Sequence, residues 1–352
     1  MRRQAAALLA AACILAGCTA APGAGPRTAG TRPPGTGPSF AVGTDLYVSG
    51  SLTVASADSL AARDLGWIRD GLHVRDVQVD WNLYSTGSRV YAGAATPSPA
   101  VIAAVTAMAR DRFGMTVTFR VLFTVPAPPG RTGRILPADQ GAWFASLYAA
   151  EEPYLAAAQR DGVTEFIAGT ERTTIETAAG WGKFYRQAAR VYSGPLSYAT
   201  WGGRPGYAGV TDGNLAQLPP VRDYGITAYP DAALTAGASQ AQVTAAWTAW
   251  LRHVPGAVLR RTALDEVGIP AAAGAYRDPW DFNAYGGAAD DAVQARWFTA
   301  ACTAARKLRM RGVWFFPVFL GDNPYGPYPG LAKFEDRPAA VAAIAACAEG
   351  RD

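Results

Sequence analysis

The chain has almost none of the residue types from which most metal, thiol and serine-histidine sites are built. It contains two histidines, His73 and His253, and four cysteines in 352 residues. His73 stands in Gly71-Leu72-His73-Val74 where a strand begins, and His253 follows Leu251-Arg252 at a helix end, where an imidazolium would complement the dipole. Neither has a His, Cys or carboxylate partner at metal-ligand spacing, so no metal is expected. There is no nucleophile elbow of the hydrolase type, no phosphate-cradling Gly-rich loop with a Lys and no dinucleotide fingerprint, so no cofactor is expected. The net charge of +4 is spread without a basic block, which argues against a nucleic-acid partner. The catalytic groups that remain are carboxylates.

The N-terminus reads as a processing signal. Arg2 and Arg3 form a charged start and Ala5 to Ala16 a short apolar run, too short to span a bilayer as a mature helix. Leu15-Ala16-Gly17-Cys18 resembles the bacterial lipobox, so residues 1–17 are expected to be removed and Cys18 to carry lipid. Ordinary secretion, with cleavage near Ala20 or Ala21, is the rival reading. Residues 18–38 are rich in Gly, Pro, Thr and Ala without apolar periodicity, a flexible tether that would hold a domain off the outer face of the membrane. No later apolar stretch is long enough to cross a membrane.

Residues 39–352 suit a single eight-unit barrel, a fold of about 250 residues before loop insertions. Strand-like and helix-like runs alternate almost to the end, the mark of an α/β fold with parallel strands. The strands are expected at Phe40–Val48, Val74–Val79, Met115–Phe123, Val163–Ala168, Leu196–Thr200, Asp223–Ala228, Val258–Leu264 and Gly312–Phe319. The clearest helix follows the second strand, with Ser98 as cap, Pro99 in the first turn and Gly114 at the end. The fifth unit is the weakest, with only a short helical stretch in Tyr207–Pro220. Cys302 and Cys347 fall on the last two helices, neighbours around a barrel, and are expected to form a disulfide in an exported protein.

Glu171 and Glu266 each follow a short apolar run, with room between them for three strand-helix units. Both therefore fall at one rim of the barrel, where two converging carboxylates form an acid and nucleophile pair of the glycosidase type. Either glutamate alone would read as a solvated loop residue or a helix cap. Trp81, Trp201 and Trp280 follow strand ends and could be sugar platforms or loop packing. Asp265, beside Glu266, should face the other way on a strand.

Phe166-Ile167-Ala168-Gly169-Thr170-Glu171 resembles the fourth-strand motif of the (β/α)8-barrel clan of retaining glycosidases, and most closely family 113 glycoside hydrolases, known as β-mannanases. The similarity covers roughly Val74 to Ala348. It continues through Trp181 and Tyr185, Tyr192-Ser193-Gly194, Leu196-Ser197-Tyr198-Ala199 and Tyr224-Gly225-Ile226-Thr227-Ala228-Tyr229. Glu266-Val267-Gly268, Pro279-Trp280, Gln294-Ala295 and Arg337-Pro338-Ala339 complete it. The resemblance implies a (β/α)8 TIM barrel in which Glu171 is the general acid/base, Glu266 is the nucleophile and Tyr229 hydrogen-bonds the nucleophile. Many relatives in the clan have Asn where this chain has Thr170, a position implied to contact the substrate. Trp314 and Phe316 point to one side of the last strand, and either could be the aromatic floor of the sugar site, Trp314 being preferred.

These readings lead to a retaining hydrolase of a β-linked polysaccharide or oligosaccharide, mannan-type favoured, acting as a monomer and anchored at the bacterial cell surface or secreted. A related hydrolase of glucan, xylan or cell-wall glycan, or a non-catalytic glycan-binding lipoprotein, is the alternative. Which sugar is bound, and whether cleavage is endo or exo, depends on loops.

Overall fold

The computed structural model describes residues 40–126, 136–172, 174–202, 219–286, 288–322 and 330–351. The leader, the tether with Cys18 and most of the Tyr207–Pro220 stretch lie outside the described residues.

In chain order the elements are β1 (Ala41–Val48), α1 (Val54–Gly71), β2 (Asp76–Ser85), β3 (Val90–Tyr91), α2 (Pro99–Ala107), β4 (Thr116–Thr124), α3 (Gln140–Arg160), β5 (Glu165–Thr170) and α4 (Gly180–Ala188). There follow β6 (Leu196–Gly202), β7 (Tyr224–Ala228), α5 (Gln240–Leu251), α6 (Gly256–Leu259), β8 (Thr262–Val267), α7 (Asp291–Lys307), β9 (Gly312–Leu320) and α8 (Pro338–Ala348). The strands pair in the order β1, β9, β8, β7, β6, β5, β4, β2, and β1 pairs back to β2, so eight parallel strands close a barrel. β3 is a two-residue appendage, antiparallel to the end of β2. The fold is a (β/α)8 barrel.

Local chemistry sets the helix starts. The Ser98 hydroxyl accepts from Val101 N at 3.3 Å ahead of Pro99, and Gly114 takes a φ of 64° after the helical stretch. α5 opens with a capping box in which Ser239 N donates to Gln242 Oε1 at 2.8 Å. Pro153 lies inside α3, which runs through it.

Strand alternation then sorts the side chains. On β2, Val77, Val79, Trp81 and Leu83 belong to the buried apolar core, while Gln78, Asp80 and Asn82 belong to the opposite face, inside the barrel. Two expected boundaries are corrected. β2 runs on to Ser85 rather than ending at Val79, because alternation continues without a turn residue. The apolar run Val258–Leu264 divides between the single-turn α6, which follows Pro255, and β8, so Glu266 stands within a strand and not after one.

Cys302 on α7 and Cys347 on α8 are joined in a disulfide, and both are fully buried. The bridge closes a loop across 45 positions, which in the chain-entropy model stabilises by about 4 kcal/mol. Replacing both cysteines by serine should lower stability by a comparable amount, measured by chemical denaturation. An unchanged denaturation midpoint would show that the closed loop contributes nothing.

Candidate active site

The last residue of β5 and the residue after it deliver the first carboxylate. A register shift between β5 and β6 separates the pairing at Ile167 from that at Thr170, and Glu171 follows with a φ of 56°. That left-handed backbone is uncommon for a residue with a side chain and turns Glu171 out of the strand. Glu171 is half-buried. Burial, and after it the negative charge of Glu266, push its carboxyl up to about 7, against the pull of the Thr227 hydroxyl, Arg120 and Arg172.

Glu266 on β8 is 9% exposed and held from two sides. The Tyr229 hydroxyl, just past β7, donates to Oε1 at 2.5 Å, and Arg120 Nη2 lies 2.9 Å from Oε2. Arg120 rises from the middle of β4 and is fully buried. Its Nε donates to Asp80 Oδ1 at 3.1 Å and its Nη2 to Asp80 Oδ2 at 2.5 Å. The same Nη2 reaches Asp45 Oδ2 at 3.1 Å, and Gln78 Nε2 donates to Asp45 Oδ1 at 2.7 Å. One guanidinium thus faces three carboxylates. Burial pushes Asp45 well above the usual carboxylate range and Asp80 up to about 7, against the pull of Arg120.

Asp265 is a correction. The β7–β8 register skips a residue between Leu264 and Glu266, so Asp265 does not simply alternate outward. Its carboxylate occupies the space that a side chain on Gly225 would need, since a Cβ there would lie 1.4 Å from Asp265 Oδ2. Its carbonyl accepts from Gln78 Nε2 at 3.0 Å and Arg120 Nη1 at 3.3 Å. Burial, and next the charge of Glu165, push Asp265 up to about 8.

The aromatic residues divide. Tyr229, Phe282, Phe316 and Ala332 form a small buried cluster on which Trp201, Trp280 and Phe319 pack. Trp201 and Trp280 are half-buried, and Trp201 stacks on Tyr229 with centroids 5.8 Å apart at 24°. These rings therefore pack in the cluster of the tyrosine whose hydroxyl holds Glu266. Trp81 is not among them. It is fully buried between strand wall and helix, stacked on Tyr154 at 4.8 Å and edge-on to Phe119 at 5.2 Å, because β2 continues through it and alternation aims it outward. Trp314 is also elsewhere. A Cβ on Gly43, at the start of β1, would lie 2.1 Å from its Nε1, so the indole covers the beginning of the barrel while Phe316, two residues on, joins the Tyr229 cluster. Thr170 is 3% exposed and its hydroxyl has no hydrogen-bond partner among the described residues.

Trp314→Ala should accordingly cost about 3 to 5 kcal/mol of stability and leave the specific activity of the folded fraction intact. Thermal melting beside kinetics tests this, and a raised KM at unchanged melting temperature would instead put the indole in the substrate's path.

Arg120, Asp45 and Asp80 were not singled out from sequence. The signal was there: a lone Arg in the β-branched and aromatic run Thr116–Thr124, and Gln78-Val79-Asp80-Trp81-Asn82 alternating polar and apolar. Polar residues at period two in a strand buried on both faces mark a polar barrel interior. Among the described residues no group of three or more His, Cys, Asp or Glu is arranged to hold a metal ion, and no helix is long and apolar enough to cross a membrane.

The barrel thus brings two carboxyl side chains, Glu171 and Glu266, to the ends of its fourth and seventh strands. The sequence profile of Glycoside Hydrolase Family 113 matches residues 137–320, and the chain belongs to that family. No curated protein matches the sequence. Among solved structures, a GH113 β-1,4-mannanase in a complex is similar at TM-score 0.69 and 14% identity, covering 89% of this chain and 100% of that one. The GH113 β-mannanase AaManA from Alicyclobacillus acidocaldarius, in complex with ManMIm, is similar at TM-score 0.67 and 18% identity, covering 89% and 98%. A β-glucuronidase from Ruminococcus gnavus has TM-score 0.51 at 9% identity, covering 89% of this chain and 51% of that one. Identities this low show the shared barrel alone.

Proposed function

We propose that the protein hydrolyses β-linked, mannan-type polysaccharide with retention of configuration. The observation that carries this is the contrast between two neighbouring carboxyls. Glu171 is pushed up to about 7 by burial and by the charge of Glu266, so it keeps a proton to donate to the leaving oxygen. Glu266 accepts from the Tyr229 hydroxyl and is paired with Arg120, two contacts that hold it in place as the group that attacks the anomeric carbon. Once the glycosyl ester forms, the charge on Glu266 disappears. Glu171, its proton already passed to the leaving oxygen, is then more easily kept ionised and serves as base for the incoming water. Trp201 and Trp280, grouped around Tyr229, supply apolar ring surface for a sugar beside the nucleophile.

The mannan preference rests on the family and on the mannanase neighbours. A screen of purified residues 39–352 on mannan, glucomannan, xylan, cellulose and β-linked aryl glycosides tests it. Selective turnover of mannan and glucomannan is the expected result, while preference for xylan or cellulose moves the enzyme to another β-glycan. No turnover of any of them favours a glycan-binding role.

The protein acts as a monomer held at the outer face of the bacterial membrane through lipid on Cys18, with residues 18–38 as tether. Cys18→Ala should release it from the membrane fraction and abolish metabolic labelling with a fatty acid. Wild-type protein found only in the medium, without lipid, would establish ordinary secretion.

A further inference from the structure

Glu171 is placed by a backbone turn that needs support, since a φ of 56° is uncommon for a glutamate. Its own N–H donates to Ala199 O at 2.9 Å, and the next N–H, of Arg172, donates to the Tyr198 hydroxyl at 2.9 Å. Both acceptors stand on β6. The Arg172 side chain folds back, with Nε to Thr170 O at 3.3 Å and its guanidinium 4.6 Å from the centre of the Phe123 ring. The Tyr198 ring is fully buried, edge-on to Trp181 at 5.2 Å, so its hydroxyl is fixed in place.

That hydroxyl accepts from Arg172 and has its own proton left to donate. Beside it stands Glu176, 1% exposed, in the loop between β5 and α4. Glu176 Oε1 accepts from the Thr200 hydroxyl at 2.8 Å, while Oε2 has no hydrogen-bond partner among the described residues; burial pushes the carboxyl up to about 7, against the pull of the Thr200 and Tyr198 hydroxyls. Tyr198 and Thr200 share one face of β6. The loop is anchored in turn, because Trp181 Nε1 donates to Ile175 O at 2.9 Å. A buried carboxylate is costly unless it is used. Here it ties the loop after Glu171 to the strand that supplies both acceptors for the turn.

We propose that Glu176 is a positioning residue for the reaction: acting through Tyr198 and Thr200, it holds the left-handed turn that aims Glu171 at the glycosidic oxygen. This rests on the reading of Glu171 as the acid/base. A carboxylate that merely stabilised the fold would lower all activities of the folded enzyme together. A carboxylate that positions the acid matters only where the leaving group needs a proton.

The test uses full-chain Glu176→Ala, Glu176→Gln and Tyr198→Phe, with Glu171→Ala in parallel. The substrates are phenyl and 2,4-dinitrophenyl glycosides of the sugar the wild type cleaves. For Glu176→Ala and Tyr198→Phe, kcat/KM on the phenyl glycoside should fall on the order of ten- to a hundred-fold, and on the dinitrophenyl glycoside by about two-fold or less. Glu176→Gln, which keeps an acceptor for Thr200 and Tyr198, should recover most of the loss. If Glu171→Ala shows the leaving-group dependence and the Glu176 and Tyr198 variants lose both activities equally, the inference falls and the acid/base assignment stands. If Glu171→Ala itself shows no dependence, the assignment falls and takes the inference with it. Amide hydrogen exchange reads the clamp without turnover. The Arg172 amide should exchange about ten-fold faster in Tyr198→Phe and Glu176→Ala than in wild type, core amides being unchanged. An Arg172 rate equal to that of wild type would overturn the proposal.

Discussion

Glu266→Ala should lose turnover by several orders of magnitude while keeping its fold. Glu171→Ala should lose about as much on unactivated substrate and far less on substrate with a good leaving group. The asymmetry follows from the roles. Without Glu266 no covalent intermediate can form, whatever the leaving group. Without Glu171 an activated aryl group still departs, and the glycosyl ester then waits for a base. Azide needs no base, so added azide should restore turnover to Glu171→Ala and yield a glycosyl azide of the same configuration as the substrate. In Glu266→Ala azide would instead attack from the vacated side and invert the product. NMR of the first-formed product anomer decides the wild type. Retention agrees with carboxyls about 5 to 5.5 Å apart, and inversion would require room for a water between them. Full activity in Glu266→Gln would overturn the assignment outright.

How much of this was legible in the sequence follows from how residues are read in a barrel. The alternation of apolar strands with capped helices is local, and so the eight strands and the strand-end positions of Glu171 and Tyr229 could be placed from pattern, whereas Glu266 was expected after a strand and stands within one. Side-chain direction was legible only where the period stayed at two. Trp81 was mistaken for a rim residue because β2 has no turn signal at Asp80, and a longer strand sends the ring into the core. Asp265 was misdirected because a register shift is a pairwise property of β7 and β8 and leaves no mark on either strand alone. The choice between Trp314 and Phe316 depended on depth along the barrel, which alternation does not encode. Both point to one face, but Gly43 makes room for the indole near the barrel's start while Phe316 reaches the Tyr229 cluster. Arg120 went unseen because its meaning lies in partners on β1, β2 and β8, none of them near it in sequence.

The second large effect couples stability to activity through pH. Glu171 titrates near 4.5 when exposed and at about 7 in the folded protein, the shift arising first from burial and then from Glu266. A carboxyl raised in the folded state disfavours folding once the unfolded chain has lost its proton. The penalty is absent below about pH 4, grows as pH rises toward 7, and is complete above that. Its full size is on the order of 3 kcal/mol for a shift of this extent. Glu171→Gln removes the charge and keeps the shape, so it should leave stability unchanged at pH 4 and raise it by about 2 to 3 kcal/mol at pH 8. The same titration bounds catalysis from the other side. Wild-type kcat/KM on a substrate with a poor leaving group should fall as pH rises through about 7, because the acid has lost its proton. On a dinitrophenyl glycoside that limb should flatten, since protonation is not needed there. Chemical denaturation of wild type and Glu171→Gln at the two pH values, beside the two pH-rate profiles, checks both. If the glutamine variant gains as much at pH 4 as at pH 8, the gain has come from packing or hydrogen bonding rather than from the buried charge. Glu171 would then carry no raised carboxyl to serve as the acid.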